Sequence, residues 1–235
     1  MEVNETNLEL DSLTEGIDPE QARYPLGNQT FEEIITAGKY YVDKTALVYR
    51  MTHTYKYVFL SRPRRFGKSL LCSTLASYFR GEKELFKGLA MERLEKEWKP
   101  YPVIHLSLAA IKETEEEQIR EELHNLLSEK EEDLKVTHLE GTLGMRMKNL
   151  ILSCNKQYGE RVVVILDEYD APLLNVLHEP DKLKDVRQTM RTLFSPLKDC
   201  DPNLRFLFIT GITKFSQLSI FSEINNLKPI SMLPE

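Results

Sequence analysis

Cysteine is scarce in this chain, and what there is lies scattered. Cys72, Cys154 and Cys200 are odd in number, far apart and without a C-x-x-C pair. That spacing argues against a disulfide framework and against a cysteine zinc site, and it fits reduced thiols in a cytosol. Net positive charge is missing too. The formal charge is −6, which excludes a chain basic throughout that coats nucleic acid and leaves room only for a local basic patch. No apolar run reaches the length of a membrane span. The N-terminus has neither the basic start nor the apolar stretch of a secretion signal. A cytoplasmic protein with no membrane partner is the expectation. Repeats and low-complexity tracts are absent as well. His53, His124, His138 and His178 stand at no metal-ligand spacing, and His105 falls in a strand, where a satisfied core histidine is expected. No Ser-His-Asp or Cys-His arrangement follows from sequence order.

What the chain does have is an ordinary core. Its 235 residues are 41% hydrophobic, which suits one α/β domain. Residues 1–22 carry only negative charge and few large apolar groups, and are expected to be a disordered acidic leader. The domain proper then runs over 23–235. Residues 24–28 read as a turn. Helices are expected over 31–37, with a Thr30/Glu33 capping box, and over 45–51, 68–80, 113–135, 139–156 and part of 185–196. The charged stretch 113–135 reads as a long, solvent-facing helix. Buried strands are expected at 57–60, 102–108, 161–166 and 204–210, with a fifth at 227–233. The continuous β-branched run Val162-Val163-Val164-Ile165-Leu166 is typical of a parallel sheet covered on both faces. Strands and helices alternate, so the expected class is a three-layer α/β fold.

Chemistry concentrates at two strand ends. After the strand at 57–60 comes Ser61-Arg62-Pro63-Arg64-Arg65-Phe66-Gly67-Lys68-Ser69, and then an amphipathic helix. Gly67-Lys68-Ser69 matches the second half of the G-x-x-x-x-G-K-[ST] phosphate loop, while Arg62 occupies the first glycine's position. Backbone N–H groups at such a helix start face phosphates. In this reading Arg62, Arg65, Phe66, Gly67, Lys68, Ser69 and Leu70 bind nucleotide, Lys68 reaches the β- and γ-phosphates, and the Ser69 hydroxyl ligates magnesium. The three arginines of the loop hold phosphates or pair with carboxylates. The second site is Asp167-Glu168, directly behind the apolar run. Asp167 is expected to hold magnesium and Glu168 to act as general base on water, with Asp170 in support. Thr210, at the tip of the strand 204–210, is the candidate sensor of the γ-phosphate.

Tyr41-Val42-Asp43-Lys44-Thr45, the loop from Phe59 through Leu71, Leu166-Asp167-Glu168-Tyr169-Asp170 and Thr210-Gly211-Ile212-Thr213-Lys214-Phe215 resemble the bacterial and archaeal AAA-ATPase-like proteins. In that family an arginine in place of the first loop glycine is usual. The resemblance implies a P-loop NTPase core with additional-strand ATPase topology, a mostly parallel sheet of about five strands in the order 5-1-4-3-2. It implies ATP and Mg2+ as ligands, Lys68 and Ser69 in a Walker A-type loop, and Asp167 and Glu168 as a Walker B-type acid pair. Members commonly continue into a lid and a PD-(D/E)XK nuclease-like domain, through which nucleic acid would be engaged. Neither is visible here, so the chain reads as the N-terminal part of a longer design or a truncated product. An arginine finger from a neighbouring subunit or a lid is the usual accelerator, so a homo-oligomer is one expected state and the chain alone is expected to be a slow ATPase. Three readings stay open at this point: an ATPase driving conformational change in a partner domain or nucleic acid, a regulatory nucleotide-binding module with negligible turnover, and a small-molecule kinase.

Overall fold

A computed structural model describes residues 24, 25, 30–213, 221 and 227–231. The leader 1–22, most of the expected turn at 24–28, and Lys214 and Phe215 lie outside the described residues. In chain order the elements are α1 (Phe31–Thr36), α2 (Thr45–Thr54), β1 (Tyr57–Ser61), α3 (Lys68–Phe79), α4 (Ala90–Leu94), β2 (Val103–Ser107), α5 (Glu116–Asp133), α6 (Leu143–Tyr158), β3 (Val162–Asp167), α7 (Ala171–Asn175), α8 (Pro180–Phe194), α9 (Pro196–Asp199), β4 (Leu204–Gly211) and β5 (Lys228–Pro229). Thr30 does occupy the N-cap of α1 in an extended conformation, but its side chain makes no capping bond, so the expected capping box does not form.

The five strands pair in parallel in the order β2-β3-β4-β1-β5, which counted from the other edge is 5-1-4-3-2. Alternation along β3 shows why the sheet sits between two layers. All six of its residues are buried. Val162, Val164 and Leu166 point into one apolar cluster with Ile119, Leu123 and Leu127 of α5, Leu150 and Ile151 of α6, and Met190 of α8. Val163 and Ile165 point into the other, with Phe31 of α1, Val48 of α2, and Leu75 and Phe79 of α3. A strand with period two and both faces covered has no polar side to spare. Parallel pairing also brings every strand's carboxyl end to one edge: Leu60 lies beside Thr210, Ser61 beside Gly211, and Ser107 beside Asp167.

The charged helix α5 is not simply solvent-facing. Ile119, Leu123 and Leu127 form a buried stripe that ends at Glu131, 2% exposed. Arg146 of α6, 3% exposed, answers it: its Nη2 donates to Glu131 Oε2 at 2.7 Å and its Nε to Oε1 at 3.2 Å. The remaining guanidinium protons go to the His124 carbonyl at 3.0 Å, His124 Nδ1 at 2.9 Å and Ser128 Oγ at 2.8 Å. His138 Nδ1 lies 2.7 Å from Glu131 Oε2. Gly144, in the first turn of α6, lets that helix approach α8 so closely that an added Cβ would fall 2.6 Å from the Thr192 carbonyl.

Candidate functional site

The loop between β1 and α3 is exposed from Arg62 through Gly67, and its arginines and Phe66 (67% exposed) stand clear of the core. Gly67 caps α3 at φ 72°, ψ 19°, a left-handed conformation that side chains resist; nothing else lies within 4 Å of where its Cβ would be, so backbone conformation rather than crowding calls for glycine. Arg65 shares the left-handed region at φ 65°. The first N–H groups of α3 have no carbonyl behind them, and its first turn carries no acidic residue, leaving an unopposed positive helix end. Ser69 and Leu70 are half-buried in that turn. Lys68 is buried instead, 4% exposed, and its Nζ donates to the Pro63 carbonyl at 3.0 Å.

The acid pair ends β3 beneath this loop. Asp167, 2% exposed, shares the sheet face of Val163 and Ile165, the face on which α3 packs. The Thr210 hydroxyl, fully buried, donates to Asp167 Oδ1 and accepts the Glu168 N–H at 3.2 Å. Its geometry is that of a clamp on the acid pair. Glu168 is half-exposed and sits at φ 50°, a second strained non-glycine residue at this edge. The Cys72 thiol, one turn along α3 from Lys68, lies within 4.8 Å of an Asp167 carboxylate oxygen and in the field of Lys68. Lys68, Asp167 and Thr210 therefore share one neighbourhood, with Glu168 at its rim. Burial first, and then the Asp167 charge, push the Cys72 thiol well above the ordinary range.

Asp170 carries a role that the sequence left vague. It is 1% exposed, and its Oδ2 accepts the N–H groups of Ile212 at 2.9 Å and Thr213 at 2.7 Å and the Thr213 hydroxyl at 2.6 Å. It ties the turn after the acid pair to the turn after β4. Its Oδ1 has no partner among the described residues. Gly211 permits the contact: a Cβ there would fall 2.6 Å from Tyr169 Cε1 and 2.8 Å from Asp170 Oδ1. Strand neighbours that far apart in sequence give no local signal beyond the Thr210-Gly211 pair that ends β4.

His105 departs from the expectation of a satisfied core histidine. Its Nε2 is buried without a partner among the described residues, and burial lowers its pKa. It also lines an open cavity of about 730 Å³ at the outer edge of β2, with Arg80, Tyr101, Lys130 and Tyr158. The three cysteines are free thiols. Among the described residues, no helix is long and apolar enough to cross a membrane.

An open left-handed loop, an uncapped helix start, a buried lysine and a buried carboxylate opposite make a donor set that fits a polyphosphate and a hard divalent cation. Comparison with known families points to nucleotide binding. Residues 25–221 match the family described as a predicted AAA-ATPase. A protein of Azotobacter chroococcum mcd 1, described as an uncharacterized protein in the vnfD 5′ region, is 37% identical over 211 residues, covering 89% of this chain. The chain spans 41% of that relative's length.

Proposed function

The chain belongs to the predicted AAA-ATPase family, and from that premise we propose that it binds Mg-ATP between the loop 61–69 and the acid pair Asp167-Glu168 and hydrolyses it to change the conformation of a partner domain or nucleic acid. The observation that carries the proposal is the buried Lys68 amine beneath an open loop, on the same sheet face as the buried Asp167 carboxylate. A buried ammonium with one neutral acceptor is poised for a charged oxygen. Loop N–H groups from Phe66 to Leu70 hold the phosphates, and Arg62 and Arg65 add charge from the exposed side. Ser69 and Asp167 hold magnesium, which supplies neutralisation of phosphate charge. Glu168 takes the proton of the attacking water. Thr210 positions both carboxylate residues, through Oδ1 of one and the N–H of the other, rather than touching the nucleotide first.

Two variants test this. Lys68→Ala keeps the fold and loses nucleotide; calorimetry showing parental Mg-ATP affinity in the folded variant would refute the assignment. Glu168→Gln keeps affinity and loses about 10²–10⁴ in rate, the usual cost of removing a positioned base. Parental turnover in Glu168→Gln would place the base elsewhere, and negligible turnover by the parent itself, with affinity intact, would leave a regulatory nucleotide-binding module as the reading.

A further inference from the structure

Three potential ligand atoms from separate elements meet beneath the acid pair: Cys72 of α3, His105 of β2 and Asp167 of β3 offer a sulfur, an imidazole nitrogen and a carboxylate oxygen, all within 4.8 Å of one another. From this geometry we propose a site for a thiophilic divalent transition-metal ion, zinc being the type case, whose occupation takes Asp167 away from magnesium. The antagonism with magnesium rests on the nucleotide reading above; the metal site itself does not.

A tetrahedral zinc site with these donors keeps its ligand atoms about 3.3–3.6 Å apart, so the trio must draw in by at most about 1.5 Å. On the histidine side no side-chain bond of Nε2 has to break, since His105 Nε2 is buried and makes no bond to another described residue. Thiolate with imidazole selects zinc-like ions, whereas the magnesium position with its hydroxyl and carboxylate selects hard ones. Three protein ligands leave a fourth position for water, the pattern of an open site. Of the trio, His105 alone lines the open cavity at the β2 edge. Binding exchanges a proton for the metal, Cys72–SH + M2+ giving Cys72–S–M+ and H+. A carboxylate drawn into that site must loosen from Thr210, which also holds the Glu168 N–H. One ion would thereby disturb both members of the acid pair. The sequence hid the trio because its members come from three different elements, and only the parallel order of β2 and β3 beneath α3 brings them together.

The test uses the whole chain stripped of metal by chelation. Cobalt(II) is added as the spectroscopic probe, and zinc is added to displace it. The expected result is one equivalent bound with a near-ultraviolet thiolate-to-cobalt band, bleached by zinc, absent in Cys72→Ser and weakened in His105→Gln. Circular dichroism establishes that both variants are folded. A folded parent with no such band, or a band that survives Cys72→Ser, overturns the site. In calorimetry with magnesium in excess, one equivalent of zinc should lower Mg-ATP affinity by about 5- to 150-fold in the parent, the ordinary range of coupling between sites, and leave Cys72→Ser unchanged. Parental affinity in the presence of bound zinc overturns the antagonism. Failure of the metal-free parent to bind Mg-ATP would count against the nucleotide reading and leave the cobalt band to decide the metal site.

Discussion

Two clusters of buried polar side chains lie in this domain, and they are built on opposite terms. Between α5 and α6, the Arg146 guanidinium spends its protons on Glu131, His124 and Ser128, and His138 supplies a further bond to Glu131. Under the carboxyl edge of the sheet, Lys68 holds one carbonyl, Asp170 Oδ1 and His105 Nε2 have no partner among the described residues, and Arg65 and Glu168 hold strained backbone. The first cluster is closed and serves the fold. The second keeps unused bonding capacity and conformational strain, features that in proteins generally gather at functional sites.

The sharpest way to break the comparison is to open the closed cluster. Arg146→Met strands the Glu131 carboxylate and should cost about 3–5 kcal/mol. Glu131→Met together with Arg146→Leu should lie near the parent, because replacing both partners by apolar groups removes the desolvation problem. Denaturant midpoints measure both, and a double variant as weak as the single would show that the ion pair itself stabilises the fold. Next come the two glycines of close approach, one in each region. Gly144→Ala and Gly211→Ala should each cost about 1–3 kcal/mol by overpacking against the Thr192 carbonyl and against Tyr169 and Asp170. Only Gly211→Ala should also reduce ATP turnover per folded molecule; equal loss in Gly144→Ala would erase the distinction.

A smaller effect of opposite sign is expected at the acid pair. Glu168→Gly relieves the left-handed strain and should raise stability by up to about 1 kcal/mol while turnover falls. A thermal midpoint below the parent's would show that the strain is not stored there. The smallest effect is on pH dependence, where each cluster contributes one histidine. Burial first, then the Arg146 charge, lowers the pKa of His124, and burial lowers that of His105. Both stay neutral in the fold below the unfolded value of 6.5, so stability should begin to fall as pH drops through 6.5. Burial works to raise Glu131, but hydrogen bonds from Arg146 and His138 outweigh it and hold it below 4.5. Its contribution is present above that value and is lost as pH falls through the lower folded one, giving a second, more acidic stage. His124→Gln and His105→Gln should each flatten part of the first stage in melts from pH 7.5 to 5.5, a range bracketing the unfolded histidine value.

The sequence made the sheet legible because burial on both faces leaves a strand no polar alternative, as in Val162 to Leu166. It made the loop legible because Gly67-Lys68-Ser69 is a local pattern between a strand and a helix. It hid α4 and α7, which are too short to show a period. It hid the closed cluster because Glu131 looks like one more charge on a charged helix, and only Arg146 across the helix pair explains its burial. Thr30 shows the converse, a well-placed N-cap residue whose side chain makes no capping bond. Asp170, Gly211, Cys72 and His105 acquire their neighbours only when separate strands and α3 come side by side.

The bond from Lys68 to the Pro63 carbonyl makes ligand capture an exchange reaction. An incoming group does not meet a bare ammonium; it must outcompete a neutral oxygen already in place. A second neutral acceptor gains almost nothing from that swap, whereas an anionic oxygen adds the attraction of an ion pair to the hydrogen bond. If Lys68 takes phosphate as proposed, the loop's own backbone would serve as a reference ligand that sets a threshold, rejecting weak acceptors and admitting charged ones. The same carbonyl takes the amine back when the ligand leaves, so the domain can empty without exposing an unpaired buried charge.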